Sequence, residues 1–101
     1  MSTVRKLNES ALRGIYDAYM HEAFPPAELK PLAVMLRLME RGRYLCYGYY
    51  RNGRLAAYAF FYRHDSRVLL LDYFAVTPEL RGRGVGSAFL AALDAVLGGV
   101  C

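Results

Sequence analysis

The chain has 101 residues and a mass of 11.4 kDa, with a hydrophobic share of 55%, so it forms at most one domain and is not a disordered chain. The net charge of +4 favours anionic ligands, but the 13 basic residues are scattered, which argues against nucleic acid as a partner. Because no apolar run could span a membrane and the N-terminus lacks a signal-peptide core, we expect a cytoplasmic protein with no membrane partner.

The first half of the chain predicts one short strand and two helices. Thr3 to Leu7 can form the strand, and Asn8 caps a helix over "ESALRGIYDAYMHEAF", whose apolar residues recur at helical spacing. Pro25 and Pro26 end this helix. A second helix is predicted from about Glu28 to Arg41.

The second half predicts a meander of three strands and a last helix. "YLCYGYY" and "LAAYAFFY" are joined at Asn52 and Gly53, which is a strong hairpin signal. Residues 68–76 are apolar except for Asp72, which predicts a strand buried on both faces. After three glycines, an apolar stripe predicts an amphipathic helix that ends at Gly98 and Gly99; the stripe consists of Val85, Ala88, Phe89, Ala92, Leu93 and Val96.

The segment "VTPELRGRGVG" stands where the last strand gives way to this helix. Backbone N–H groups at a helix start attract phosphate, and glycines let a ligand approach closely. Arg81 and Arg83 can add charge-assisted contacts. The alternative is a tight turn whose glycines serve backbone geometry alone. We favour phosphate binding, since the segment offers both donors and charge.

Two common phosphate-binding motifs do not fit this segment. A P-loop needs a Lys-Ser/Thr pair after its last glycine, and residues 85–88 contain none. A dinucleotide fingerprint needs its third glycine where Ser87 stands, and an acidic residue about twenty residues later, beyond Cys101.

The stretch "FAVTPELRGRGVGSAFLAAL" resembles the signature of the GNAT superfamily of acyl-CoA-dependent N-acetyltransferases, Arg/Gln-x-x-Gly-x-Gly/Ala after a strand that ends in Val-x-Pro. The resemblance implies an α/β fold with a mixed, mostly antiparallel sheet flanked by helices, and acetyl-CoA as co-substrate. It also implies roles for three groups of residues. The coenzyme pyrophosphate would bind Arg81, Gly82, Arg83, Gly84, Val85, Gly86 and Ser87, the pantetheine arm would bind the backbone of Phe74, Ala75 and Val76, and the acceptor amine would lie near Phe24 and Glu28 in "HEAFPPAE".

The sequence also departs from the family pattern. Members of the superfamily continue past this helix with a fifth strand, a fourth helix and two closing strands, and the family's thioester sits where the fourth and fifth strands separate. A tyrosine on that later helix often acts as general acid. Residues 1–101 are therefore expected to form a single GNAT-like domain that lacks the C-terminal strands and helix.

Asp72 is the candidate general base for amine acetylation, because a carboxylate can accept the proton that the attacking amine loses. An acidic residue near this place serves as base in some branches of the family. Strand alternation places Asp72 on the face shared by Leu70, Phe74 and Val76. The alternative is that Asp72 pairs with one of the eleven arginines and only fixes the sheet.

Cysteine and histidine carry no further chemistry in this interpretation. Cys46 and Cys101 are too few for a disulfide framework, so we expect two free thiols and no metal site. His21 is expected to interact with the end of the first helix, and His64 lies in a turn. Neither has a partner at metal or triad spacing, so neither is expected to be catalytic.

The function predicted from these features is transfer of an acetyl group from acetyl-CoA to a primary amine of a small molecule or peptide. One alternative is a catalytically incomplete fragment that binds coenzyme A or acts as an interaction module. A weaker alternative is a nucleic-acid-binding module, which would show salt-sensitive binding. Since no later strand covers residues 68–76 in this sequence, we also expect a homodimer through that strand edge, or aggregation.

Overall fold

In the computed structural model, which describes residues 1–98, four antiparallel strands form one sheet in the order β1-β2-β3-β4. The strands are β1 (Ser2–Lys6), β2 (Tyr44–Arg51), β3 (Arg54–Arg63) and β4 (Leu69–Val76). The helices are α1 (Glu9–Ile15), α2 (His21–Ala23), α3 (Leu32–Glu40) and α4 (Val85–Leu97). This arrangement confirms the predicted α/β fold with an antiparallel sheet flanked by helices.

Each face of the sheet carries its own hydrophobic core, because successive strand residues point to opposite faces. On one face, α1 and α3 bury Leu12 and Met35 against Phe60 of β3, and all three are fully buried. On the other face, Phe89 of α4 stacks on Tyr49 of β2 with ring centroids 5.1 Å apart. Each such side chain contributes about 1.5–3 kcal/mol through burial.

The first helix begins as predicted and then changes its winding. The Asn8 side chain caps α1 by accepting a hydrogen bond of 2.9 Å from the N–H of Ala11. A π-helical segment, Tyr16–Met20, continues α1 into α2, a feature that the sequence did not predict. Phe24 then takes an extended conformation, as is usual before a proline, and ends the helix.

The second predicted helix starts later than expected, at Leu32 instead of Glu28. Pro31 disfavours helical backbone at Lys30, so the chain between the helices forms turns, with the N–H of Glu28 bonded to the carbonyl of Pro25. We call residues 24–31 the proline loop. The hairpin at Asn52 and Gly53 is confirmed, and both residues have positive φ, as a tight hairpin turn requires.

β4 corrects the prediction of a strand buried on both faces. Within residues 1–98 it is an edge strand, and Leu70 and Leu71 are 50% and 52% exposed, whereas Leu69 packs against the core on the α4 face. Only Tyr73 in this strand is buried.

β4 also contains an irregularity at Asp72. Phe61 of β3 pairs with Leu71 and Phe60 pairs with Tyr73, so Asp72 is an extra, unpaired residue. Such a bulge interrupts the alternation of side chains. The predicted position of Asp72 on the face of Phe74 and Val76 is therefore wrong: those two pack in the α4 core, whereas Asp72 bonds to a residue of the opposite core.

α4 follows its predicted stripe in part. Val85, Phe89 and Leu93 are buried, but Val96 is 54% exposed, because Leu97 and not Val96 continues the buried stripe toward the end of the helix. Gly98 ends the helix with a positive φ, as predicted, and Gly99 lies outside the described residues. In the described part of the chain, the helices are all too short to cross a membrane.

Candidate functional site

The loop between β4 and α4, residues 77–84, is called the glycine loop. Thr77 anchors its start, since its N–H and hydroxyl both donate to the carbonyl of Ala56, at 2.9 and 3.2 Å. Gly82 and Gly84 have φ values of 78° and 75°, which other residues adopt only with strain. A Cβ at either glycine would meet nothing within 4 Å. Backbone conformation, and not crowding, therefore requires glycine at both positions.

The glycine loop leads into the start of α4, which has no side-chain cap. Gly84 stands at the N-cap of α4 without a side-chain cap, and the first turn closes with a bond of 3.1 Å from Ala88 N–H to Gly84 C=O. The N–H groups ahead of Ala88 have no partner within the helix. Together with the helix dipole and the exposed side chains of Arg81 and Arg83, they make this end attractive to an anion.

Gly86 in the first turn of α4 is glycine for another reason. A Cβ there would lie 3.6 Å from Val76 Cγ2 and 3.7 Å from Phe74 Cε1, which are ordinary contact distances. The backbone of Gly86 is also not in the left-handed region. Neither the conformation nor the packing of this chain demands glycine here, and an added methyl group would fit within the fold.

The last residues of β4 offer a second set of backbone groups. Phe74, Ala75 and Val76 pair with β3 along one edge only, and their outer edge faces no strand among residues 1–98. The Phe74 ring stacks on Phe89 of α4, with centroids 5.5 Å apart, so this part of β4 is rigidly placed beside the helix start. An extended ligand could bond to the open edge as an added strand does.

The bulge directs Asp72 into a network that joins β4, β2 and the proline loop. Its Oδ2 accepts hydrogen bonds from the Tyr44 hydroxyl at 2.5 Å and from Lys30 Nζ at 2.9 Å. The Asp72 side chain is 26% exposed, so the carboxylate is held but can still be reached from solvent. Its partner is a lysine and not one of the arginines.

Asp72 also influences two buried groups. Burial, and then the hydrogen bond to Asp72, raise the pKa of Tyr44, so Tyr44 remains a donor at neutral pH. Burial and the Asp72 charge raise the pKa of Cys46 to about 12. Cys46 is a free, buried and unreactive thiol, as predicted, and Cys101 lies outside the described residues.

Tyr73 ties the proline loop to β4. Its hydroxyl donates to the carbonyl of Glu28 at 2.7 Å and accepts from the N–H of Lys30 at 2.7 Å. The Phe24 ring packs edge-on against the Tyr73 ring, with centroids 4.9 Å apart. We call Lys30, Tyr44, Asp72 and Tyr73 the Asp72 cluster. A cavity of about 320 Å³ lies beside the loop, lined by Tyr16, His21, Phe24, Pro26, Leu29 and Pro31.

The strand, glycine loop and helix lie within a region whose sequence matches a known protein family. Residues 10–99 match the model of the acetyltransferase (GNAT) family, which is most of the chain. The chain belongs to the GNAT family. No curated protein matches the sequence.

Solved GNAT structures share this fold. The ribosomal-protein-S18-alanine N-acetyltransferase of Escherichia coli superposes with a TM-score of 0.71 at 26% identity, over 96% of this chain and 59% of its own. A GNAT-family protein of Bacteroides thetaiotaomicron gives 0.78 at 18% identity, over 93% and 55%. A predicted acetyltransferase of Clostridium acetobutylicum, with acetyl-CoA, gives 0.67 at 13% identity, over 93% and 71%. The chain thus spans less than two thirds of the length of the first two.

The residues that the GNAT resemblance singled out fall into two places. The predicted coenzyme residues, 74–76 and 81–87, lie at the end of β4, in the glycine loop and in the first turn of α4, and among them Val85 is buried. Phe24 packs against Tyr73, the residue that follows Asp72 in β4. The carbonyl of Glu28 accepts the hydrogen bond from the Tyr73 hydroxyl, and the Glu28 side chain is exposed. The binding roles of all these residues stay predictions.

The two histidines lie apart from the Asp72 cluster. His21 stands in the last turn of α2, at the helix end where the sequence places it, and packs edge-on against the Tyr16 ring, with centroids 5.0 Å apart. His64 is exposed in the turn before β4. Among the described residues, no three His, Cys, Asp or Glu side chains gather as metal ligands do.

Sequence reasoning missed three members of the Asp72 cluster. Lys30, Tyr44 and Tyr73 are essential to its hydrogen bonds, but the bonds join residues 28 to 45 positions apart. In the sequence, Tyr44 is one of several tyrosines in the predicted strands, and Lys30 belongs to no recognisable motif. Only the tertiary fold brings them together.

Proposed function

We propose that this domain is an N-acetyltransferase that uses acetyl-CoA to acetylate a primary amine of a small molecule or peptide. The observation that carries the proposal is the glycine loop, whose two left-handed glycines lead into an uncapped helix start beside two arginines. Family membership supports acetyl-CoA as the co-substrate. The E. coli relative is named for an alanine of a ribosomal protein, which supports peptides among the acceptors.

In the proposed complex, the pyrophosphate of the coenzyme accepts hydrogen bonds from backbone N–H groups of residues 81–87. Arg81 and Arg83 add charge-assisted contacts. The pantetheine arm runs along the open edge of Phe74, Ala75 and Val76 as a short extra strand. Its course leads toward the bulge, and so brings the thioester toward Asp72.

Asp72 is the proposed general base. The amine nitrogen attacks the thioester carbonyl, its proton passes to the Asp72 carboxylate directly or through a water, and the C–S bond breaks to release the thiolate of coenzyme A. Tyr44 and Lys30 both hold Oδ2, which fixes the orientation of the carboxylate. Phe24 and the Glu28 region of the proline loop would lie beside the amine, because Tyr73 fastens both to β4.

A second candidate function is coenzyme A binding without transfer. The glycine loop and the outer edge of Phe74, Ala75 and Val76 would suffice for such binding without any role for Asp72. Coenzyme binding without turnover on any amine would support this candidate. Turnover would exclude it.

Gly86→Ala tests the proposed coenzyme site, because the chain itself can accommodate that methyl group. We expect calorimetric titration to show at least about tenfold weaker acetyl-CoA binding in Gly86→Ala at unchanged thermal stability, since the added methyl blocks a close backbone approach. Gly14→Ala is the matched control, a helix glycine of α1 with open space around it. Equal affinities in wild type and Gly86→Ala would refute the site.

A further inference from the structure

Tyr58 carries a polar group that the proposed mechanism leaves unexplained. The residue is 1% exposed, and its hydroxyl has no hydrogen-bond partner among residues 1–98. An unpaired buried hydroxyl costs about 1–3 kcal/mol, so such groups usually have a partner, often water. Tyr58 lies on β3 directly opposite Ala75, in the middle of the segment proposed to bind pantetheine.

The Tyr58 side chain forms one wall of a small cavity under the glycine loop. The cavity has a volume of about 20 Å³, which suits one water molecule but is far too small for a phosphate. Its lining comes from β3, the π-helical segment, α2, the end of β4 and the glycine loop: Tyr19, Glu22, Ala23, Tyr58, Val76, Thr77, Pro78 and Arg81.

Arg81 is the member of this lining that belongs to the proposed phosphate site. Its Nε donates to the carbonyl of Val76 at 3.3 Å, which fixes the base of the guanidinium group. Burial raises the pKa of Tyr58 to about 12, and the nearby Arg81 charge opposes this shift. The hydroxyl is therefore protonated at neutral pH and lies close enough to Arg81 to sense its charge.

We propose that this cavity holds one water molecule that links the Tyr58 hydroxyl to Arg81, and that Tyr58 is thereby a positioning residue for Arg81 in the coenzyme's phosphate site. Tyr58, Arg81 and Glu22 all line the cavity and all carry polar side chains, so the water would have the two to four partners that buried waters need. β3 is fixed by both cores, so the link holds Arg81 against a rigid part of the sheet. The inference rests on the proposed function.

Tyr58→Phe tests the link by calorimetry with two ligands. We expect coenzyme A to bind about two- to tenfold more weakly, the range for one net hydrogen bond. Acetyl-pantetheine, which lacks the pyrophosphate, should bind with unchanged affinity. Tyr62→Phe, on the same strand, controls for the loss of a tyrosine hydroxyl. Weaker binding of both ligands, or of neither, overturns the link.

A double-mutant cycle separates the link from a general effect on the core. In an Arg81→Ala background, Tyr58→Phe should cause no further loss of coenzyme A affinity, because the group that it positions is gone. An equal loss in both backgrounds overturns the link to Arg81.

Thermal unfolding tests the water independently of coenzyme binding. If the hydroxyl is paired with water, Tyr58→Phe leaves Tm unchanged or lowers it; a rise in Tm means that an unpaired hydroxyl was removed and overturns the water site. Failure of the wild type to bind coenzyme A would instead refute the proposed function, and the Tm comparison would still decide the water site.

Discussion

The glycine loop follows the end of β4, and the Asp72 cluster lies at the middle of the same strand. The two regions are built in contrasting ways. The glycine loop is exposed and depends on backbone conformation, with left-handed glycines at 82 and 84. The Asp72 cluster depends on side chains, which join β4 to β2 and the proline loop by hydrogen bonds of 2.5 to 2.9 Å.

This contrast shows that the two halves of the proposed reaction tolerate different changes. The glycine loop should be sensitive to any added Cβ and insensitive to charge-neutral changes elsewhere. The Asp72 cluster should be sensitive to the loss of single polar atoms and to pH. Variants that alter only one of the two regions therefore separate the effect on coenzyme binding from the effect on acetyl transfer.

The largest effect is expected from Asp72→Asn, which removes the proton acceptor and nearly preserves its shape. Turnover should fall by on the order of 10²–10⁴, the usual contribution of a general base, while acetyl-CoA affinity stays unchanged. Lys30→Gln is the control, because it removes the ion pair and keeps the carboxylate; this partly exposed pair is worth about 1 kcal/mol or less. Equal losses in the two variants would assign Asp72 an anchoring role only.

Alkaline pH should affect stability through Cys46, a buried thiol that is influenced by the Asp72 charge, and should leave the glycine loop unaffected. Cys46 has its pKa raised from 9.0 to about 12 in the folded protein, so folding favours the protonated thiol. Its contribution is complete below pH 9 and is lost as the pH rises toward 12, at about 1.4 kcal/mol per pH unit. Urea unfolding at several pH values should show this fall, and Cys46→Ala should flatten it between pH 9 and 10. The same slope in both proteins would contradict the assignment.

Gly84→Val should impair the glycine loop and leave the Asp72 cluster unchanged. A side chain at φ 75° costs about 1–3 kcal/mol of strain and displaces the N–H groups, so acetyl-CoA binding should be abolished while the fold persists. Gly53→Val is a matched control, since Gly53 has φ 81° in the distant hairpin and equally open surroundings. Both variants should lose similar stability in urea unfolding. Retained acetyl-CoA affinity in Gly84→Val would show that the loop does not bind phosphate.

The smallest effect concerns the open edge of β4, the strand to which both regions are attached. Leu70 and Leu71 are exposed there, and we expect this 101-residue chain to pair the edge with a second copy at micromolar concentration. Sedimentation should show a dimer that Leu71→Lys weakens. Because pairing would cover residues 74–76, acetyl-CoA should shift the equilibrium toward monomer. A monomer at every concentration would disprove the pairing.

Much of the fold could be predicted because its signals are local. The Asn8 cap, the Asn52-Gly53 turn and the passage from Val76 to Val85 each depend on neighbouring residues, and all stand where the sequence places them. The glycine loop belongs to this class, since its glycines, arginines and helix start are contiguous.

The remainder depends on long-range packing, which no local pattern encodes. The bulge at Asp72 arises from the register with β3, and a strand read by alternation alone puts that carboxylate on the wrong face. The exposure of Leu70 follows from the position of β4 in the sheet. The partnership of Lys30 with Asp72 spans 42 residues.

The π-helical segment, Tyr16–Met20, gives the domain an adjustable spacer. A π turn holds one residue more than an α turn, so a single-codon deletion at exposed Asp17 would leave a continuous α-helix. The four residues left would span nearly the same rotation and rise as the five of the π segment, so Phe24 would keep its contact with Tyr73. A deletion in α3, which is regular, would instead rotate everything after it by about 100° and shift it by about 1.5 Å. The first helix can therefore lose a residue without moving the proline loop away from β4.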